Sequence, residues 1–446
     1  MFSKVFFFAV GSLMVTDGAP VAAGSPAAEA QEVRELLVAA RGVAPSLCTL
    51  AADGLFNWGG RWEAPAEAVR SDIRSRVRKL QRRHLTADES QTLIGGIGSA
   101  DACERHISAT LIGRLADTSV ARSVTNRLAA GAALERQAAL VALGLLEATN
   151  EMPAIIRALR DETPAVRANA AWALGRLDQK SAGPVIAGAL KDADETVRGA
   201  AIVALGRLGA TDSIETLLRI LKTDPSGEVR RVAAWALGEL QHRAAAPALM
   251  SVLASDKDDE VREMAVWALA SVNARESVDA LIVAMQKDES SDVRETSAWA
   301  LAELNARKAI DALAGVVAND KDDDVRGTAA WALGQLHPGK APAALLKAIR
   351  DPSPDVRVKA AWALSEIADP DAAAAVADAL KTEAKDDVQQ AEVRALLKSG
   401  EGSEEVFRRL LESKDAETRQ MAVRALAGRR GVDPWPWPWP RPRPMP

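Results

Sequence analysis

The chain has 446 residues, 26% of them charged and 48% hydrophobic, and a formal net charge of −5. That composition suits a folded helical protein rather than a disordered one, and the acidic balance argues against a general nucleic-acid binder. Tyrosine is absent, and the two cysteines and four histidines fall at no zinc-site spacing.

Residues 1–30 carry the three-part pattern of a secretion signal. Lys4 supplies a positive start, and Val5 to Val15 form an apolar core too short for a membrane span. "AEA" at 28–30, before Gln31, offers a small-x-small cleavage site, and "VAA" at 21–23 offers another. The expectation is an exported chain, periplasmic or extracellular, with no integral span in its mature form. Without a working signal here the chain is cytoplasmic. Export permits a disulfide between Cys48 and Cys103 without implying one; two buried free thiols are the alternative.

Residues 31–85 read as a helical N-terminal cap. "VRELLVAARG" at 33–42 and "APSLCTLAADGLFNW" at 44–58 predict two helices, and Trp58 and Trp62 flank a Gly-Gly turn. The basic stretch at 69–84 is expected to be a solvated helix face.

From 86 to 428 the chain is periodic. A "VR" pair recurs at Val166, Val197, Val229, Val261, Val293, Val325 and Val356, at spacings of 31 or 32 residues. Weaker copies at Val388, Thr418, Glu135 and Glu104 bring the array to about eleven units. Each unit predicts two helices, A and B, joined by a short acidic turn. In 181–207 Pro184 suits the first turn of helix A, and Glu195 opens helix B where an acid complements the helix dipole. Gly206 stands near the end of helix B, and most units have a small residue in that slot.

The pattern "D-x4-VRxxAAxALGxL" resembles HEAT-like repeats of the phycobilisome-lyase type over residues 86–428. The resemblance implies an all-α fold, a right-handed α-solenoid with B helices lining the concave side. No unit in such an array buries its apolar face alone, so stability comes from stacking. The recurring acid (Asp161, Asp192, Asp224, Asp256, Asp288, Asp320, Asp351) and the recurring arginine (Arg167, Arg198, Arg230, Arg262, Arg294, Arg326, Arg357) are expected to bond across adjacent repeats as a structural ladder.

Helix B, laid out at ~100° per residue from its valine, gathers offsets +4, +7, +8 and +11 into one buried stripe. Offset +6 lies at ~240°, away from it. That slot holds Trp172, Trp235, Trp267, Trp299, Trp331 and Trp362, interrupted by Val203. Two readings stand. The indoles form an exposed ladder in the concave groove, where a contiguous apolar stripe marks an interaction site. Alternatively they lie against neighbouring B helices as inter-repeat glue. Glu239, Glu303 and Glu366 at offset +10, with Glu228, Glu260, Asp292, Asp324 and Asp355 before the valines, make the groove acidic. A basic protein or peptide partner suits it through charge and cation–π contacts; nucleic acid does not.

Residues 429–446 form an extended proline-rich tail, since alternating proline forbids helix and sheet. Its Trp435, Trp437, Trp439, Arg441 and Arg443 are expected to contact a partner or the groove, or to stay disordered.

Two enzyme readings accompany the resemblance. A phycobilin lyase would need a bilin site, for which the residues give no sign. Deoxyhypusine hydroxylase, a HEAT-like enzyme, binds iron through His-Glu pairs. Here His84, His106, His242 and His337 are followed by Leu, Ile, Arg and Pro, so no such pair exists. Phosphate loops and nucleophile elbows are also missing. The expectation is a non-enzymatic scaffold, with no cofactor and no metal, that holds a protein or peptide in its groove.

Overall fold

The computed structural model describes residues 26–42, 85–114, 118–367 and 369–399, with scattered positions between 408 and 423. Cys48, Trp58, Trp62, the basic stretch at 69–84 and the tail from Trp435 to Arg443 lie outside the described residues. The helices divide into two compact units, one before residue 117 and one from there on.

The first unit holds α1 (Pro26–Ala40), α2 (Ala87–Ile97) and α3 (Ala102–Arg114), with α1 packed on both others. Helix α1 runs across residues 28–30, where signal cleavage is expected. Its Val33, Leu36, Leu37 and Ala40 are buried, as are Leu93, Ile97 and Leu111 on the facing helices. A capping box starts α2. Thr86 accepts from the Glu89 amide, and the Glu89 carboxylate accepts from the Thr86 amide at 2.7 Å. Arg41 closes the unit by an ion pair to Glu104 at 2.8 Å.

The second unit is a stack of helix pairs. In chain order these are α4 (Ala121–Ala130) and α5 (Ala133–Leu145), α6 (Met152–Ala158) and α7 (Pro164–Arg176), α8 (Gly183–Gly188) and α9 (Glu195–Arg207), α10 (Ile214–Thr223) and α11 (Gly227–Glu239), α12 (Ala246–Ser255) and α13 (Asp259–Ser271). Then come α14 (Val278–Lys287) and α15 (Ser291–Glu303), α16 (Ile310–Asn319) and α17 (Asp323–Leu336), α18 (Ala343–Ala348) and α19 (Pro354–Ile367), α20 (Pro370–Leu380) and α21 (Asp386–Ser399). No strand occurs among the described residues, and none of their helices is long and apolar enough to cross a membrane. Each B helix packs on the next, which makes the fold an all-α solenoid.

The core follows the predicted stripe. Val325, Ala329, Ala332, Leu333 and Leu336 of α17 are buried, and so are the matching residues of the other B helices. Alanine at two of these slots lets successive B helices approach closely, so apolar area is buried between units rather than within one.

Helix B ends shortly after the small residue, as expected. The small residue at offset +9 lies inside the helix, which runs on to +10 or +11. The turn comes at offset +12, occupied by Glu147, Asp178, Gly209, Gln241, Asn273, Asn305 and His337, all with positive φ between 46° and 64°. At the end of α11 the His242 amide donates to the Leu237 carbonyl at 3.3 Å and the Gln241 amide to the Gly238 carbonyl at 3.0 Å. That paired pattern closes a helix through a left-handed residue. Among these seven described positions glycine fills the slot once, at Gly209; the motif tolerates asparagine and here carries even glutamate, which hid it in the sequence.

Candidate functional site

The B helices position two sets of side chains, one structural and one facing outward. The structural set is the predicted ladder. Arg167 donates from Nε and Nη2 to both oxygens of Asp192 at 2.8 Å, while its Nη1 donates to the Asp161 carbonyl at 2.9 Å. Asp192 also accepts from the Asp194 amide at 3.0 Å. The same bidentate bridge joins Arg198 to Asp224, Arg230 to Asp256, Arg262 to Asp288, Arg294 to Asp320 and Arg326 to Asp351. It extends to Arg357 with Glu383, and Arg136 meets Asp161 by a single bond from Nη2 at 2.8 Å. Each arginine therefore fastens its own AB turn to the next one. The hydrogen bonds from Arg167 hold the Asp192 carboxyl below the usual carboxylate range. These charges are consumed in the fold and are not free for a ligand.

The tryptophans depart from the exposed-ladder expectation. Trp235, Trp267, Trp331 and Trp362 are buried, at 2–8% exposure, and Trp172 and Trp299 are half-buried. No contiguous indole stripe faces solvent. Four of the indoles, Trp172, Trp235, Trp267 and Trp362, lean sideways onto the preceding B helix, over the glycine at its offset +9. A β-carbon added at Gly144, Gly206, Gly238 or Gly334 would lie 2.6, 2.9, 2.7 or 2.6 Å from Cζ3 of Trp172, Trp235, Trp267 or Trp362, respectively. Glycine at +9 is thus the seat of the next unit's tryptophan. The helical wheel gave the direction of the Cβ correctly. It does not give the path of a side chain long enough to reach a neighbouring helix. The slot preceding Trp299 holds Ala270, and Trp299 is half-buried; the slot preceding Trp331 holds Ala302, and the ring of Trp362 stacks on Trp331 at 6.4 Å and 17°.

The outward set is mainly acidic. At offset +10 Glu239 and Glu303 are exposed, while Glu366 is half-buried with His337 Nε2 3.9 Å away. Nearer the start of the B helices, Glu260 and Asp292 are exposed and Glu263 is half-buried. Thr296 donates to Glu263 at 3.1 Å, and Thr328 donates to the buried Glu295 at 2.9 Å. Burial, then the charges of Asp292, Glu295 and Glu260, push the Glu263 carboxyl above its ordinary value. The first arginine at this level, Arg231, is bonded to Glu228 at 2.6 Å. The sequence had flagged the carboxylates before the valines; Glu263 and Glu295, at offset +2, escaped it because only these two adjacent units have an acid there, with Arg231 and Gly327 on either side.

Cys103 is disulfide-bonded. Among the described residues no group of three or more His, Cys, Asp or Glu side chains is placed to hold a metal.

A family model for HEAT repeats matches residues 121–194, 152–238, 183–270, 246–334 and 316–397, more than half of the chain. No curated protein matches the sequence. Yeast importin-β (Kap95p) is similar in structure at 14% identity and a TM-score of 0.57, over 91% of this chain and 73% of that one. A Kap95p structure concerned with its binding to RanGDP is similar at 14% identity and a TM-score of 0.57, over 91% of this chain and 66% of that one. The CpcE–CpcF phycocyanin lyase complex of a Nostoc species has 23% identity and a TM-score of 0.34, over 54% of this chain and 91% of that one. The chain spans about two thirds of the Kap95p chain in the RanGDP structure, and at these identities the likeness is one of fold. Repeat period, bridging ladder and family match agree: the chain belongs to the HEAT-repeat proteins.

Proposed function

We propose that this solenoid is a non-enzymatic scaffold whose B-helix face holds a basic segment of a protein or peptide. The observation that carries the reading is the crowding of carboxylates left over once the ladder has paired its own charges. Glu260, Glu263, Asp292 and Glu295 lie close enough to raise the carboxyl of Glu263. Arg231, 3.9 Å from Glu260, answers part of this charge, and the exposed Glu260 and Asp292 present negative charge that a lysine- or arginine-bearing partner matches. The attraction is charge, not an aromatic ladder, because the indoles are packed away between repeats. The disulfide at Cys103 supports an oxidising compartment, and with it export.

Crosslinking and mass spectrometry from the native host test this. Glu260→Lys with Asp292→Lys reverses two exposed charges without touching the ladder. The expected result is a partner crosslinked to α13 and α15 in the wild type, with a salt-dependent association slowed at least about tenfold in the variant. A partner set that survives both charge reversal and high salt overturns the reading.

A further inference from the structure

The indoles are buried unevenly, and the one left partly open in the acidic sector is Trp299. Its neighbours in the row, Trp235, Trp267, Trp331 and Trp362, are only 2–8% exposed. Trp299, in the middle of that run, is half-buried. The slot before it on the preceding helix holds Ala270, where Trp235, Trp267 and Trp362 have glycine. Trp331 also follows an alanine, Ala302, but there the ring of Trp362 stacks on the indole. Among the described residues no ring stacks on Trp299.

The face of α15 that carries Trp299 is acidic. At ~100° per residue, offsets −1, +2, +6 and +10 fall between ~200° and ~280° on the helix. On α15 these are Asp292, Glu295, Trp299 and Glu303, so the indole has a glutamate one turn before it and another one turn after. Glu303 and Asp292 are exposed, whereas Glu295 is buried and accepts from Thr328 at 2.9 Å. Thr296, also a turn before the indole, donates to Glu263 of α13 at 3.1 Å. That contact brings a carboxylate of the neighbouring repeat onto the same turn. A cation bounds the sector on each side. Arg231 of α11 is bonded to Glu228 on one side. On the other, Lys359 of α19 lies over Gly327, its Nζ 3.1 Å from where a β-carbon would stand. Trp172 gives the contrast within the chain. It is half-buried as well, but one turn on it has Arg176 where Trp299 has Glu303.

We propose that Trp299 is the floor of a subsite for one arginine side chain of the partner, with the guanidinium plane on the open part of the indole and its N–H groups directed to Glu303. A guanidinium is planar and weakly hydrated, so it lies on a ring and donates sideways to a carboxylate at the same time; an ammonium acts as a point charge. Trp172 takes no cation, because the like charge of Arg176 opposes one. The inference rests on the scaffold reading above and adds to it one fixed point, an arginine seated at α15.

The test uses the full chain carrying 5-fluorotryptophan and followed by fluorine NMR, with the Trp299 and Trp172 signals assigned from Trp299→Phe and Trp172→Phe. The probes are Nα-acetyl-arginine amide and the matching lysine and citrulline amides. The arginine probe is expected to shift the Trp299 signal saturably and to leave that of Trp172 in place. The lysine probe should bind at least about threefold more weakly, and citrulline, uncharged and of similar shape, should give no saturable shift. Glu303→Gln, a change at an exposed site, should weaken the arginine probe at least about threefold. An unmoved Trp299 signal, equal shifts with arginine and citrulline, or an equal response at Trp172 overturns the proposal. If Trp299 is unmoved while charge reversal at Glu260 and Asp292 still removes the crosslinked partner, the subsite fails and the scaffold reading stands. A Trp299 signal that answers arginine while the partner set survives charge reversal supports the subsite and overturns that reading.

Discussion

At the residue scale, the glycines of the B helices divide into two kinds that look alike in the sequence. Gly238 lies under an indole, and a β-carbon there would meet Trp267 at 2.7 Å and the Ala268 backbone at 3.2 Å. Gly199, in the same type of helix, has nothing within 4 Å. Alanine gains about 1 kcal/mol over glycine in a helix interior, but overpacking a core contact costs about 1–3 kcal/mol. Gly199→Ala should therefore raise stability by about 0.5–1 kcal/mol, and Gly238→Ala should lower it by about 1–2 kcal/mol. Urea denaturation of the two variants reads the opposite signs directly. Trp267→Ala empties the same contact from the other side and should cost about 3–5 kcal/mol. A loss under about 1 kcal/mol would mean that the indole is not packed as described.

At the scale of the element, each B helix from α5 to α17 is closed by a left-handed residue and tied by one arginine. Gln241 holds φ 52° without being glycine. Gln241→Gly should stabilise the chain by about 1 kcal/mol, and Gly209→Ala should destabilise it by a similar amount, both visible as shifts in the thermal midpoint. The ladder behaves differently, since its charges are buried in pairs. Asp320→Ala strands the guanidinium of Arg294, which is 5% exposed, and should cost about 3–5 kcal/mol. Replacing both partners by apolar residues should cost less than either single change in a double-mutant cycle.

At the scale of the whole molecule, two groups of carboxyls give the solenoid opposite responses to pH. Ladder carboxyls such as Asp192 are held low by their arginines. Their contribution is present above the ordinary aspartate value of about 3.9 and is lost as pH falls through the lower folded value. Glu392 has the reverse sign. It stands on the core stripe of α21, where α17 and α19 have Ala329 and Ala360, fully buried and with both carboxylate oxygens unpaired. Burial, then the charge of Glu383, push its carboxyl up to about 8 against the pull of Arg357 and Arg350. Between the ordinary carboxyl range and about 8 the docked helix binds a proton that the opened helix has lost. Opening of α21 should rise about tenfold per pH unit across that window and level off above it. Hydrogen exchange of residues 386–399 against pH, with α15 as internal reference, measures this. Glu392→Ala should remove the slope; a slope unchanged in that variant would place the proton elsewhere.

The sequence by itself determined what repeats. The period of 31 or 32 residues, the buried stripe and the arginine–aspartate bridge are each set by local spacing, and one unit implies the rest because every unit meets the same neighbour. The family, the all-α solenoid and the structural role of Asp192 or Arg198 were legible on that ground. The tertiary structure decided what depends on reach between helices. An indole at ~240° on the wheel points to solvent on an isolated helix; beside a glycine on the preceding helix it folds across and is buried. For the same reason the glycine at +9, which the sequence places near the helix end, proves to be the seat of the next unit's indole.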